Sequence, residues 1–140
     1  MLTWKQWQEK SESSLEASRI LLENRKAIEA ASRAYYAAYQ MVTAVLIKLK
    51  LSPRSEYGNW SHHETLEMYH AHICRKLDVG NKARTLLIKL RPSFRYLLTT
   101  RYKADYDVAE EIDMTLSQSL WRDANRLVKL LKNLVERGVL

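Results

Sequence analysis

Between residues 27 and 49, small and aliphatic side chains recur at steps of three and four: Ala27, Ala31, Ala34, Ala38, Val42, Val45 and Leu49. That period places all seven on one face of a helix. Alanine fills the first half of the face, so a second helix can approach it closely. Three other stretches carry the same period. Trp4, Trp7, Ser11, Leu15, Ser18 and Leu22 mark a first helix from about Thr3 to Asn24, with an inward stripe that is partly small and polar. Ala83, Leu87, Leu90, Phe94 and Leu97 mark a fourth helix, and Leu116, Leu120, Ala124, Leu127, Leu131 and Leu134 mark a fifth over about residues 115–137.

The punctuation agrees with helices rather than strands. Thr3 with Gln6, Ser61 with Glu64, and Thr115 with Gln118 all have capping-box spacing. Residues 51–60, LSPRSEYGNW, gather Pro53, Gly58 and Asn59 into the one long loop; a third helix then runs from Ser61 to about Lys76, before the break around Gly80. Gly138 closes the fifth helix. Pro92 removes one backbone hydrogen bond from the fourth, so a kink or break is expected near Arg91. With three Gly and two Pro in 140 residues, the expectation is an all-α bundle of about five helices in a single domain spanning residues 1–140.

Composition removes several classes. No run approaches the roughly 18 apolar residues of a spanning helix, because even YYAAYQMVTAVLIKLK is interrupted by Gln40 and Lys48. The single cysteine, Cys74, has no internal partner, and MLTWKQWQEK lacks the apolar core of a signal peptide, so a reducing cytoplasm is expected. There is no Gly-rich phosphate loop, no nucleophile elbow and no paired-cysteine motif, and no cofactor is expected.

The net charge of +7 is unevenly placed. Lys82, Arg84, Lys89, Arg91, Arg95, Arg101 and Lys103 follow one another without an acid between them, and these seven equal the whole excess. A concentrated positive field attracts polyanions, of which nucleic acid is the commonest; a solvated face or one covered by an acidic subunit is the alternative. Continuing the fourth helix's apolar stripe from Leu97 by steps of four reaches Arg101 and then Asp105, where a core pattern calls for leucine. An unpaired buried charge costs several kcal/mol. These two groups therefore pair with each other on a surface face, or the stripe runs out into a cleft or subunit interface.

SRAYYAAYQ at residues 32–40, followed by RYKADYD at residues 101–107, resembles the HEPN superfamily, in particular its small stand-alone members. The resemblance implies an up-and-down helical bundle, a homodimer, and a gene placed beside a minimal nucleotidyltransferase, its antitoxin subunit. It also implies, as in many members, a metal-independent ribonuclease or toxin acting on RNA in a prokaryotic toxin-antitoxin or defence module. The nuclease motif is RxxxxH, in which arginine stabilises phosphate charge and histidine moves protons. Arg101 matches its arginine, but Tyr106 stands where the histidine belongs, and no other arginine is followed by histidine at that interval.

The departure matters, because a tyrosine hydroxyl titrates near ~10 and histidine near about 6.5. Arg101, Asp105 and Tyr106 are the expected catalytic group: Arg101 stabilises the phosphorane, Asp105 orients it, and Tyr106, or a histidine from the 62–72 cluster, handles the proton. Arg33, Tyr36, Arg95, Tyr102 and Lys103 are the expected RNA contacts, through phosphate pairing and stacking. The alternative roles are packing for Tyr35, Tyr36 and Tyr39 and an ion pair with Asp105 for Arg33. Without the motif histidine, a non-catalytic module that docks a nucleotidyltransferase and its substrate is the competing function, and a purely structural interaction protein is a third.

Two further features have bland readings beside sharp ones. His63, Glu67, His70 and Cys74 would line one face of a regular helix, but a straight ladder spreads its groups too far for one tetrahedral zinc ion. A partly exposed face with one buried thiol is the expectation, and no metal site is assigned. Trp4 and Trp7 belong to the core edge or anchor a dimer.

Overall fold

A computed structural model describes residues 1–106 and 112–140. Five α-helices form: α1 (Trp4–Glu23), α2 (Ala27–Lys48), α3 (His62–Met68), α4 (Lys82–Tyr106) and α5 (Met114–Glu136), with no strand among the described residues. Asp107, the last residue of the RYKADYD run, lies outside them.

α2 is the axis of the bundle. It packs against each of the other helices, and its alanines after Ala27, with Tyr35, Met41 and Leu46, are buried. The polar stripe of α1 now has a cause: the Ser11 hydroxyl donates to the Ala37 carbonyl at 2.6 Å and the Ser18 hydroxyl to that of Ala30 at 2.7 Å. Small hydroxylated side chains let α1 lie close against the alanine face; the Ser11 and Ser18 hydroxyls are satisfied by backbone carbonyls and that of Ser14 by the Gln40 amide. These two pairs also show the helices to be antiparallel, since rising numbers on α1 meet falling numbers on α2. By the same reading α4 is antiparallel to α2, through Arg101 to Tyr36 and Ser32 to Asp105, and α5 is parallel to it, through Ser117 to Ala27 and Lys48 to Leu140. The result is the expected up-and-down arrangement around one core cluster.

Helix boundaries follow the capping signals at two of three places. Thr3 with Gln6 and Ser61 with Glu64 each form a complete reciprocal box. At α5 the expectation is corrected. Asp113, not Thr115, caps the helix, accepting from the Leu116 N–H at 2.8 Å, because an aspartate two residues earlier is as good a cap and leaves Thr115 and Gln118 inside the helix.

The kink or break expected near Arg91 does not take the form of a break: α4 is one helix from Lys82 to Tyr106 with Pro92 inside it. Pro92 and Ile88 are both exposed, so the Ile88 carbonyl that loses its donor lies on the solvated side of the helix, where water can replace it. The third helix departs from regular winding instead. After Met68 it opens into a π-helical turn over Tyr69–Ile73, then tightens into a 3-10 turn over Cys74–Lys76. The wider turn brings Tyr69, Ile73 and Cys74 all into the core, and the Tyr69 hydroxyl donates to the Leu87 carbonyl of α4.

Candidate functional site

Three elements meet at one end of α2. The Tyr39 hydroxyl donates to the Trp60 carbonyl at 2.7 Å, which ties the end of the long loop to α2 and sets His62 as the first residue of α3. Tyr35 is fully buried, and its hydroxyl lies 2.6 Å from His62 Nδ1. The imidazole is packed among the rings of Tyr35, Tyr36 and Tyr39, with centroids 5.4, 6.2 and 4.9 Å away.

α4 brings its charged positions to the same end. Arg101 is only 5% exposed, so the stripe that reaches it is a core stripe to its last turn. Its guanidinium carbon lies 5.7 Å from the ring centre of Tyr35, 5.6 Å from Tyr36, 4.8 Å from Tyr102 and 5.9 Å from Tyr106. Four ring faces replace part of the lost hydration, each such contact contributing on the order of 0.5 to 2 kcal/mol. Asp105 Oδ2 is 3.2 Å from Arg101 Nε, while Asp105 Oδ1 accepts from the Ser32 hydroxyl at 3.1 Å.

The cage leaves the cation under-bonded. Among the described residues its one side-chain hydrogen bond, from Nη2 to the Tyr36 hydroxyl, is long at 3.4 Å. Nη1 and Nε are buried without a hydrogen-bond acceptor, because the Asp105 oxygen beside Nε lies off the N–H direction and acts through charge alone. Burial works against the charge, but the Tyr36 hydroxyl and Asp105 outweigh it and hold the guanidinium above its ordinary pKa. Arg101 is therefore a permanent cation with unused donors. The expected surface pair of Arg101 with Asp105 is corrected in one respect: the pair exists, but its arginine is in the interior.

His62 responds in the opposite direction. Burial first, and then the charges of Arg101 and His63, push its pKa below 6.5, with Asp105 opposing. Burial pushes the Tyr35 phenol far up, so it stays protonated. His62 is thus a neutral imidazole held against a neutral phenol beside a fixed cation.

A groove of about 450 Å³ opens next to this cage, between α3 and α4, lined by His63, Leu66, Glu67, Arg91, Arg95, Leu98, Thr99 and Tyr102. Tyr102 is shared: it lines the groove and lies over Arg101. Arg101 does not itself line the groove, and the Tyr102 ring separates the two. Tyr102 and Tyr106 stand 5.9 Å apart and are 42% and 71% exposed, so the lid over the cation is on the solvent side.

Of the residues expected from the sequence, Arg101, Asp105, Tyr106, Tyr36 and Tyr102 come together here, and Arg95 lies in the adjoining groove. Arg33 is set apart. It stacks over the outer face of Tyr36 at 5.1 Å and lines a different groove, between α1 and α2, so it is not the partner that holds Asp105. Lys103 lies on the exposed face of α4. The run of seven cations divides: Lys89 faces α5, Arg91 and Arg95 face α3, and Arg101 is internal. The π-helical turn breaks the register of His63, Glu67, His70 and Cys74, and no three His, Cys, Asp or Glu converge to hold a metal ion among the described residues. Trp7 is buried, and Trp4 packs against the core edge.

Sequence reading reached the histidine cluster but not the individual. The signal for His62 was the buried Tyr35 hydroxyl, which needs an acceptor that no neighbour on α2 supplies. Ser32 and Arg91 carried no such signal. A search of curated proteins returns no match. The HEPN domain family model matches residues 4–137, nearly the whole chain, and the protein belongs to that family.

Proposed function

We propose that this protein binds RNA at the α3–α4 groove and receives a backbone phosphate on Arg101. One observation carries the reading: a buried, permanently charged guanidinium retains donors with no acceptor, beneath two exposed tyrosines, at the end of a groove lined by Arg91 and Arg95. A phosphate offers the acceptors that a planar guanidinium fork suits. Rotation of Tyr102 and Tyr106 uncovers the cation without disturbing the core, and frees two rings for stacking on bases. The homodimer, the nucleotidyltransferase partner and the toxin-antitoxin or defence setting rest on the family resemblance and belong to this proposal.

Cleavage is a second reading, favoured by His62. A histidine from α3 occupies the neighbourhood where the motif histidine of α4 is replaced by Tyr106, and it is neutral at pH 7. In one tautomer Nδ1–H donates to the Tyr35 oxygen, and the free Nε2 can take the proton of an attacking ribose 2'-hydroxyl while Arg101 stabilises the phosphorane. In the other, the Tyr35 O–H donates to Nδ1, and Nε2 carries a proton and cannot act as base. Structured RNA incubated with the protein in excess EDTA separates the readings. Binding and cleavage that are both lost in Arg101→Met, with cleavage alone lost in His62→Gln, support the enzyme. Binding without cleavage supports the module, and absence of binding overturns both.

A further inference from the structure

The positive side chains of α4 that face α3 do not stop at the cage. Arg84, Arg91, Arg95 and Tyr102 are spaced by seven, four and seven residues, which keeps them on one side of the helix. From Arg84 to Tyr102 the stripe is about 27 Å long at ~1.5 Å per residue. One end reaches the lid over Arg101. At the other, the Arg84 Nη1 donates to the Leu77 carbonyl at 2.9 Å, which fixes that guanidinium against the exit of the third helix.

A second observation points the same way. His70, in the π-helical turn, has its Nδ1 buried without a hydrogen-bond partner. Burial and then the charges of Arg91, Arg75 and Arg84 push its pKa below 6.5, and no acid counters them. The ring therefore lies in the positive field of three arginines, two of them, Arg84 and Arg91, on the α4 stripe. Glu67 is the one acid lining the neighbouring groove among the described residues.

We infer that Arg84, Arg91 and Arg95 form a phosphate track that guides a single-stranded phosphodiester chain along the α3–α4 seam, with Arg101 at its end. This rests on the RNA-binding reading above and specifies its substrate as a single strand. A seam between two packed helices admits one backbone, and the rings of Tyr102 and His63 offer stacking surfaces that only unpaired bases can use. A duplex would have to be read from outside, across two strands. Glu67 opposes the incoming charge and limits affinity.

Fluorescence anisotropy with oligouridines of about 2 to 12 nucleotides, a matched oligothymidine series and a blunt RNA duplex, each at several salt concentrations, tests the track. Wild-type affinity should rise with length until about four or more nucleotides are bound, then level. Each phosphate contact contributes about 0.7 to the slope of log affinity against log salt on a single strand. Arg84→Gln with Arg91→Gln should therefore lower the slope by about 1.4 and remove the gain from length, leaving the weaker binding of the shortest oligomers in place. Arg91→Glu alone, which leaves the Leu77 contact intact, should weaken the long oligomers in the same way, and Glu67→Gln should tighten them. Comparable affinity for thymidine identifies the phosphodiester as what is read, and preference for uridine adds the 2'-hydroxyl; both retain the track. Wild-type length dependence and slope preserved in the arginine variants overturn the track while leaving RNA binding at Arg101 standing. Equal or tighter binding of the duplex overturns the single-strand assignment, and no binding by the wild-type protein overturns the track together with the reading beneath it.

Discussion

The α1–α2 seam and the Arg101 cage are both buried, both polar and both built on α2, yet they differ in how their polar groups are satisfied. In the seam, Ser11 and Ser18 each give their single donor to a backbone carbonyl at ordinary hydrogen-bond distance. In the cage, a guanidinium with five N–H donors makes one long hydrogen bond among the described residues and leans on ring faces and a misaligned carboxylate for the rest. Those two hydroxyls are satisfied by folding alone, although the buried Trp7 Nε1 on the same helix has no acceptor among the described residues. On the proposed reading, the cage is completed when a ligand brings acceptors to it.

The largest expected difference between the two regions comes from Arg101→Met. RNA affinity should fall by about tenfold or more, the scale of a charged hydrogen bond of roughly 1.5 to 3 kcal/mol. The melting temperature should change by no more than a few degrees, because the lost ring contacts and the loss of Asp105's partner are offset by removal of the buried ion's desolvation penalty. Binding titrations and a thermal melt on the same preparation check both halves.

The reverse pattern is expected at Ser18. Ser18→Leu forces α1 away from the alanine face, and overpacking of that kind costs about 1 to 3 kcal/mol. The melt should drop by several degrees while RNA affinity at a temperature where the variant is folded stays within about twofold.

Tyr35→Phe sharpens the comparison at the boundary between the regions. It deletes the hydroxyl paired with His62 Nδ1, leaving a partly buried ring nitrogen without its partner, at a cost of about 1 kcal/mol. Urea titration should show the loss, with RNA binding weakened less than in Arg101→Met.

The smallest expected effect is a pH dependence that belongs to the cage and not to the seam. His62 and His70 have folded pKa values below 6.5, so the unfolded chain binds more protons just under that value. Stability is fully present above pH 6.5, falls as pH drops from there through the folded values, and then levels. Melts across that window should be shallower in His62→Gln and unchanged in shape in Ser18→Leu; a wild-type stability that rose on acidification through the window would contradict the account.

Much of the fold was legible because apolar spacing and burial coincide. The alanine face of α2, the leucine stripe of α5 and the Leu87, Phe94 and Leu97 stripe of α4 all point inward as their period requires. The misses are local. At Thr115 and Gln118 the capping pattern was present but an equally good cap lay two residues upstream at Asp113. The π-helical turn of the third helix had no sequence signal, because it is driven by which side chains the core accepts. In the site, Arg101 and Asp105 were legible as breaks in a stripe. His62 was not, because its partner, the Tyr35 hydroxyl, is 27 positions away and comes near only through tertiary packing.

The central claim is that the Arg101 guanidinium takes up a phosphate. NMR of arginine side-chain Nε–Hε resonances during titration with a short oligouridine addresses it directly. The account predicts that the Arg101 signal shifts markedly and saturates together with binding, alongside smaller shifts at Arg91 and Arg95. Saturable binding with shifts at Arg91 and Arg95 and an unmoved Arg101 resonance would contradict it.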